Sequence, residues 1–213
     1  MKSTIAQLRT EYSKKELRQQ DVAPNPIDQF KLWFEEAIKS EVPEPNAMSL
    51  ATVDSNGQPS LRVVLLKEVN ENGFVFFTNY QSKKGESIKY NPLIGLNFYW
   101  HDLERQVRIE GSASKINQTL SDEYFESRPR GSQVGAWISP QSRPIEKRSF
   151  LEKEQNAFEK KFSDQPVPRP EHWGGYLVRP HTIEFWQGRA SRLHDRICYQ
   201  KEDERWEVKR LAP

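Results

Sequence analysis

Residues 48–78 read MSLATVDSNGQPSLRVVLLKEVNENGFVFFT. Three apolar runs, Met48 to Val53, Ser60 to Glu68 and Phe74 to Thr78, are separated by Asp54-Ser55-Asn56-Gly57 and Asn70-Glu71-Asn72-Gly73. An Asn-Gly pair between apolar runs is a strong hairpin signal, because tight strand connections demand positive φ, which these residues accept. The stretch therefore predicts three strands joined by hairpins, and with them an antiparallel sheet.

The pattern extends on both sides. Upstream, Asn25-Pro26 reads as a helix cap followed by Pro in the first turn. Phe30, Trp33, Phe34, Ala37 and Ile38 then recur at helical spacing, until Pro43-Glu44-Pro45 ends the helix. Downstream, Lys83 to Tyr90 reads as a short helix stopped by Asn91-Pro92. Leu93 to Trp100 and Arg105 to Ser114 read as a strand pair, and Leu120 to Arg128 and Arg143 to Phe162 as helices. Short strands return at Gly175 to Val178, Thr182 to Trp186, Arg192 to Tyr199 and Arg205 to Arg210. Eight or nine strands, with helices inserted between groups of them, predict a mainly β (α+β) antiparallel fold that closes fully or partly into a barrel. No Gly-rich dinucleotide turn and no P-loop is present. Residues 1–20 carry only a weak apolar pattern (Ile5, Leu8, Tyr12) and on their own read as a frayed arm ahead of one domain spanning 21–213.

Composition narrows the class. The chain has 213 residues, with 32 Lys and Arg against 30 Asp and Glu, so a net charge of +2 argues against a polycation that coats nucleic acid. Six Trp, 7 Tyr and 11 Phe supply burial in a chain that is only 35% hydrophobic, which suits a core partly completed by a cofactor or a second subunit and an ordinary monomer almost as well. The single Cys198 excludes an internal disulfide framework. No apolar signal region and no membrane-length run is seen, so a cytoplasmic location is expected.

Four clusters carry chemistry. Arg192, His194 and Arg196 would share one face of a strand, about 6.5–7 Å apart. Two guanidiniums around an imidazole suggest an anion site behind Trp186 and Gln187, and a solvated rim is the plainer alternative. Tyr124 and Arg128 share a helix face, and Pro129, Gly131 and Ser132 follow in an expected turn. This inventory matches a phosphate monoester, although Arg at a helix C-terminus is common in any case. Arg62 and Lys67 bracket Val63, Val64, Leu65 and Leu66, a run expected to be buried on both faces with cations that need partners. Lys83 and Lys84 open a helix. Gln106, Gln141 and Ser142 add the amide and hydroxyl groups that read a heteroaromatic edge. Two anion-ready sites point to two phosphorylated heteroaromatic ligands side by side.

Taken together, these stretches resemble the pyridoxamine 5′-phosphate oxidase family from about Leu8 to Pro213. The matching motifs include Arg62-Val-Val-Leu-Leu-Lys67, Glu104-Arg-Gln-Val107, Ser127-Arg-Pro-Arg130, Ile183-Glu-Phe-Trp-Gln-Gly188, Arg192-Leu-His-Asp-Arg196 and Arg210-Leu-Ala-Pro213. The resemblance implies an FMN-binding split β-barrel and a homodimer with FMN at its interface. It implies oxidation of pyridoxamine 5′-phosphate and pyridoxine 5′-phosphate to pyridoxal 5′-phosphate, with O₂ as acceptor. A non-catalytic pyridoxal-phosphate or flavin carrier of the same fold is the alternative. Carried over by motif, Arg62 to Lys67, Phe77, Thr78, Lys83, Lys84, Gln106, Gln141, Ser142, Trp186 and Arg196 would hold FMN. Lys67, Tyr124, Arg128 and Ser132 would meet the substrate phosphate, and Arg192 and His194 its ring. Arg9 and Tyr12 match an arm motif that closes over the site, which reverses the frayed-arm reading.

Overall fold

Asp54 closes the first hairpin as the sequence predicts. In the computed structural model, which describes residues 10–213 together with Ile5 and Gln7, its carboxylate accepts from the backbone of Asn56 at 2.9 Å and of Gln58 at 3.1 Å. Gly57 supplies the required positive φ of 78°. The turn joins β1 (Ala47–Val53) to β2 (Pro59–Leu65). The second Asn-Gly turn joins β3 (Glu68–Asn70) to β4 (Gly73–Asn79), with Asn70 opposite Gly73. The remaining strands are β5 (Leu93–Trp100), β6 (Arg105–Lys115), β7 (Trp173–Gln187), β8 (Asp195–Glu202) and β9 (Arg205–Leu211). The sheet order is β2-β1-β5-β6-β7-β4-β3, with β8 between β7 and β9. The pairings β3–β4, β4–β7, β7–β8 and β8–β9 are antiparallel. Helices α1 (Pro26–Lys39), α2 (Lys83–Tyr90), α3 (Gln118–Ser127), α4 (Arg130–Ile138) and α5 (Arg148–Lys161) are inserted among the strands.

Several expectations are corrected. The run Ser60 to Glu68 is two strands, broken at Leu66 and Lys67, where the Lys67 amide bonds to Val75 O at 2.9 Å. Nor is β2 buried on both faces. Leu61 and Val63 are 68% and 66% exposed, so the face they project from is uncovered in this chain. The two short strands expected at 175–178 and 182–186 are one strand, β7. Its partner changes around Pro180, which has no N–H to give: Phe74 faces Val178 before it, and Gln200 faces Thr182 after it. The long helix expected from Arg143 begins only at Arg148, past Pro144.

The chain divides into two compact units, one holding the described residues up to Leu50 with 95–111 and 180–213, the other 51–94 with 112–179. The first has an aromatic core. Phe30, fully buried on α1, lies 5.0 Å from the Phe98 ring, and Trp33 lies 5.2 Å edge-on to Phe185. Asn25 caps α1 by accepting from Ile27 N at 2.8 Å. In the second unit Phe125, Val134, Phe162, Val167 and Trp173 form a cluster. Arg130 ties this cluster down by donating to the carbonyls of Phe162 and Gln165. Phe30→Ala should cost about 3–5 kcal/mol, since it empties an aromatic-sized space that rigid neighbours cannot refill. Urea unfolding of the variant beside the parent checks this.

Candidate active site

The second unit holds two cationic groups. In the first, Ser82 caps α2 and directs Lys84 toward Gln141, whose Oε1 accepts from Lys84 Nζ at 2.8 Å. Gly85 makes this helix start possible, because a Cβ there would lie 2.2 Å from the Tyr80 carbonyl oxygen. Ser82 Oγ also accepts from Lys84 Nζ at 3.3 Å, and Thr78 Oγ1 lies 3.4 Å from Gln141 Oε1. Burial, aided by the Arg62 charge, pulls the Lys84 ammonium down to about 8. Arg62 donates to Thr52 Oγ1 at 2.8 Å and to Ser60 Oγ at 2.9 Å, and burial lowers its pKa as well. Two cations close enough to repel, with neutral oxygens around Lys84, favour an anion between them. Lys83 and Lys67 are exposed, and Ser142 and Gln141 lie on an exposed turn in which Ser142 has a φ of 72°.

In the second group Arg128 lies 4.4 Å over the Trp173 ring. Its Nη1 is buried without a hydrogen-bond partner, and burial lowers its pKa. Phe77, Tyr124 and Trp173 stack beside it, with Phe77 3.8 Å from Tyr124 and 5.5 Å from Trp173. Ser132, expected in a turn, lies instead in the first turn of α4, its amide bonded to Pro129 O at 2.8 Å. Arg130 is committed to carbonyls, so of the two arginines Arg128 is the one with a donor to offer.

The first unit holds the third group. A cavity of about 710 Å³ is lined by Tyr12, Arg189, Ser191, Arg192 and His194, with Thr10 and Glu11. His194 Nδ1 accepts from Arg189 N at 3.1 Å, so a neutral imidazole carries its proton on Nε2. Burial, then the Arg192 charge, lowers its pKa. Trp186 lies 4.6 Å from the imidazole, and Tyr12 sits edge-on to both rings at 5.7 and 5.8 Å. The strand expected from Arg192 starts only at Asp195. Ser191 and Arg192 take positive φ of 56° and 61°, so alternation does not order Arg192 and His194. Arg196 is on β8, opposite Trp186, and is bidentate to Glu184 at 2.8 and 3.0 Å. That hydrogen-bonded carboxylate raises its pKa, and a ligand there would share Arg196 with Glu184. Gln106 donates to Asn97 at 2.7 Å. Arg9 lies outside the described residues. Sequence reasoning missed Glu184, whose alternation with Trp186 on β7 was the available signal, and Trp173, which carried no polar cue.

Arg128→Met should leave the ligand-free unfolding free energy within about 1 kcal/mol of the parent, because the lost cation–π contact and the relieved orphan donor offset one another. The same change should abolish stabilisation by a phosphate monoester, as thermal unfolding with and without ligand will show.

Comparison with known proteins places the chain. Residues 34–161 match the family model for pyridoxamine 5′-phosphate oxidase, and residues 173–213 match that for the pyridoxine 5′-phosphate oxidase C-terminal dimerisation region. The chain is 53% identical over 211 residues to the pyridoxine/pyridoxamine 5′-phosphate oxidase of Acaryochloris marina, covering 99% of this chain and 96% of that one. It is 54% identical over 210 residues to the protein of that name from Polynucleobacter asymbioticus, covering 99% of each. Among solved structures, PhzG from Burkholderia lata 383 in complex with tetrahydrophenazine-1-carboxylic acid superposes with a TM-score of 0.89 at 27% identity, over 96% of this chain and all of that one. A pyridoxamine 5′-phosphate oxidase-related, FMN-binding protein from Nostoc punctiforme superposes at 0.72 and 18% identity, over 90% of this chain and all of its own, which bears on the fold alone and agrees with the antiparallel split barrel. The chain belongs to the pyridoxamine 5′-phosphate oxidase family.

Proposed function

We propose that this chain oxidises pyridoxamine 5′-phosphate and pyridoxine 5′-phosphate to pyridoxal 5′-phosphate, with FMN as cofactor and O₂ as acceptor, releasing hydrogen peroxide. The observation that carries the reading is Arg128. A buried guanidinium donor without a partner, beside stacked aromatic rings, fits the phosphate of a small aromatic ester. FMN, when bound, supplies a ring that accepts a hydride and passes the electrons to O₂.

The residues divide the work by charge and shape. Lys84 and Arg62 fit the FMN phosphate, because a dianion relieves their mutual repulsion. Lys83 adds to this positive field. Thr78, Gln141, Ser142 and Gln106 offer hydroxyls and amides to the ring edge, while Phe77, Trp186 and the apolar row Val63 to Leu66 offer surface. Arg196 brings donors oriented by Glu184. Lys67, Tyr124, Arg128 and Ser132 take the substrate phosphate. Arg192 orients the substrate's reacting substituent and stays protonated throughout. His194 holds position through Nε2–H, since its other nitrogen is engaged by Arg189 N. Tyr12, from the arm, covers this group by lying edge-on to Trp186 and His194. The exposed apolar row of β2 and the match of 173–213 to a dimerisation region support a homodimer.

FMN-loaded protein should consume O₂ and form peroxide with either substrate, and neither should occur if the chain is only a carrier. FMN affinity should be highest below pH 8. Lys84 is protonated there and loses its charge as pH rises, whereas the FMN phosphate is already dianionic. Fluorescence titration should show roughly tenfold weaker binding at pH 9 than at pH 7, and a nearly flat profile in Lys84→Met.

A further inference from the structure

We propose that Glu104 and Gly188 form a seat for the N-terminal arm, and that Glu104 is thereby a positioning residue that fixes Tyr12 against His194. The inference rests on the oxidase reading above for its effect on catalysis, but the seat itself stands on geometry. Glu104 Oε2 accepts from two backbone amides, Ser13 N at 2.9 Å and Lys14 N at 3.0 Å. These are the two amides immediately after Tyr12. A charged acceptor holding two backbone donors is among the stronger ties an exposed segment can have. Glu104 is itself only 7% exposed, and it sits in left-handed backbone with a φ of 53°. Its own carbonyl accepts from Gly188 N at 2.8 Å. One residue thus grips the arm with its side chain and the end of β7 with its backbone.

Gly188 completes the seat by lacking a side chain. A Cβ there would lie 2.7 Å from Tyr12 Cγ and 2.8 Å from Tyr12 Cβ. Those atoms are at the root of the tyrosine, so rotation about χ2 would not clear them. Gly188 is not among the glycines of positive φ, so close approach rather than backbone twist accounts for it. The arm is tied again further on. Asp195 Oδ2 accepts from Leu17 N at 3.0 Å, while Arg210 donates to Asp195 Oδ1 at 2.7 Å and to Leu17 O at 2.8 Å. Burial alone would push the Asp195 carboxyl up, but the Leu17 amide and the Arg210 and Arg189 charges outweigh it and hold it ionised.

Both ties lie just after Tyr12, at Ser13 and Lys14 and then at Leu17. A free arm would lose conformational entropy each time it closed over a ligand. A seated arm has lost it on folding, so the aromatic wall of Tyr12, Trp186 and His194 is in place beforehand. The seat should therefore act on substrate binding more than on the chemical step.

The test compares FMN-loaded parent, Glu104→Ala, Glu104→Gln and Gly188→Ala. Trypsin cleavage at Lys14 and Lys15, followed by mass spectrometry, reads arm release without reference to turnover. Steady-state oxidation of pyridoxamine 5′-phosphate reads KM and kcat. Glu104→Ala and Gly188→Ala should each raise arm cleavage and KM by about tenfold, with a smaller change in kcat. Glu104→Gln keeps a carbonyl acceptor and should stay within about threefold of the parent. Gly188→Ala alters no charge and no hydrogen-bonding group, so it tests the seat even if Glu104→Ala folds poorly. Arm cleavage in Glu104→Ala and Gly188→Ala within about twofold of the parent would overturn the proposal. An inactive parent whose arm is nonetheless freed by these changes would refute the oxidase reading and leave the seat standing.

Discussion

A guanidinium taken out of water without an anion is the constraint on which the site depends. Arg128 rests on the Trp173 indole at 4.4 Å and keeps a buried Nη1 with nothing to donate to. Stacking on an aromatic face recovers part of the lost hydration, but an unmet buried donor costs about 1–3 kcal/mol. The fold tolerates that cost because Trp173 and Phe125 are held in a cluster that Arg130 ties down from the other side of the Pro129 break. Arg128 and Arg130 are one residue apart from adjacency in sequence and have opposite roles. Arg130 is spent on backbone carbonyls and holds structure. Arg128 keeps a buried donor that no protein group meets.

The same logic recurs at Lys84. Its hydrogen bonds go to Gln141 and Ser82, both neutral, and the charge of a second cation, Arg62, helps to lower its pKa. Arg196 shows the contrasting solution, with Glu184 supplying the counter-charge inside the protein. A net charge of +2 therefore conceals a local contrast between Arg196, paired with Glu184, and Arg128, whose buried Nη1 has no hydrogen-bond partner. The proposed ligands, small phosphates rather than a polyanion, suit such local contrasts on a chain of nearly balanced charge.

Where local chemistry decides conformation, the sequence was legible. The two Asn-Gly turns, the Asn25 cap and the Asn91-Pro92 stop all sit where their short-range rules put them. Where tertiary contact decides, it was not. β7 reads as two strands because Pro180 interrupts the pattern, yet a change of pairing partner lets one strand run through the proline. α4 follows directly on Pro129, which reads as a stop but serves as a helix start. The stretch Arg192 to His194 looks like strand, and only the positive φ at Ser191 and Arg192 shows that it is not. The apolar run Val63 to Leu66 reads as buried because apolar residues usually are, whereas β2 keeps Leu61 and Val63 exposed. The residues of the proposed site were picked out by type, through their charges and amides. Their commitments, such as Arg196 to Glu184 and Glu104 to the arm, depend on long-range geometry.

Under the proposed oxidase function, recessed cations bind two phosphorylated rings so that a hydride can pass between them. Anaerobic mixing of FMN-loaded protein with pyridoxamine 5′-phosphate tests it most directly, with the visible flavin absorbance as the signal. The parent should bleach, and Arg128→Met, equally loaded with FMN, should keep its colour at the same substrate concentration. A parent that stays yellow, or an Arg128→Met variant that bleaches as readily as the parent, would contradict it.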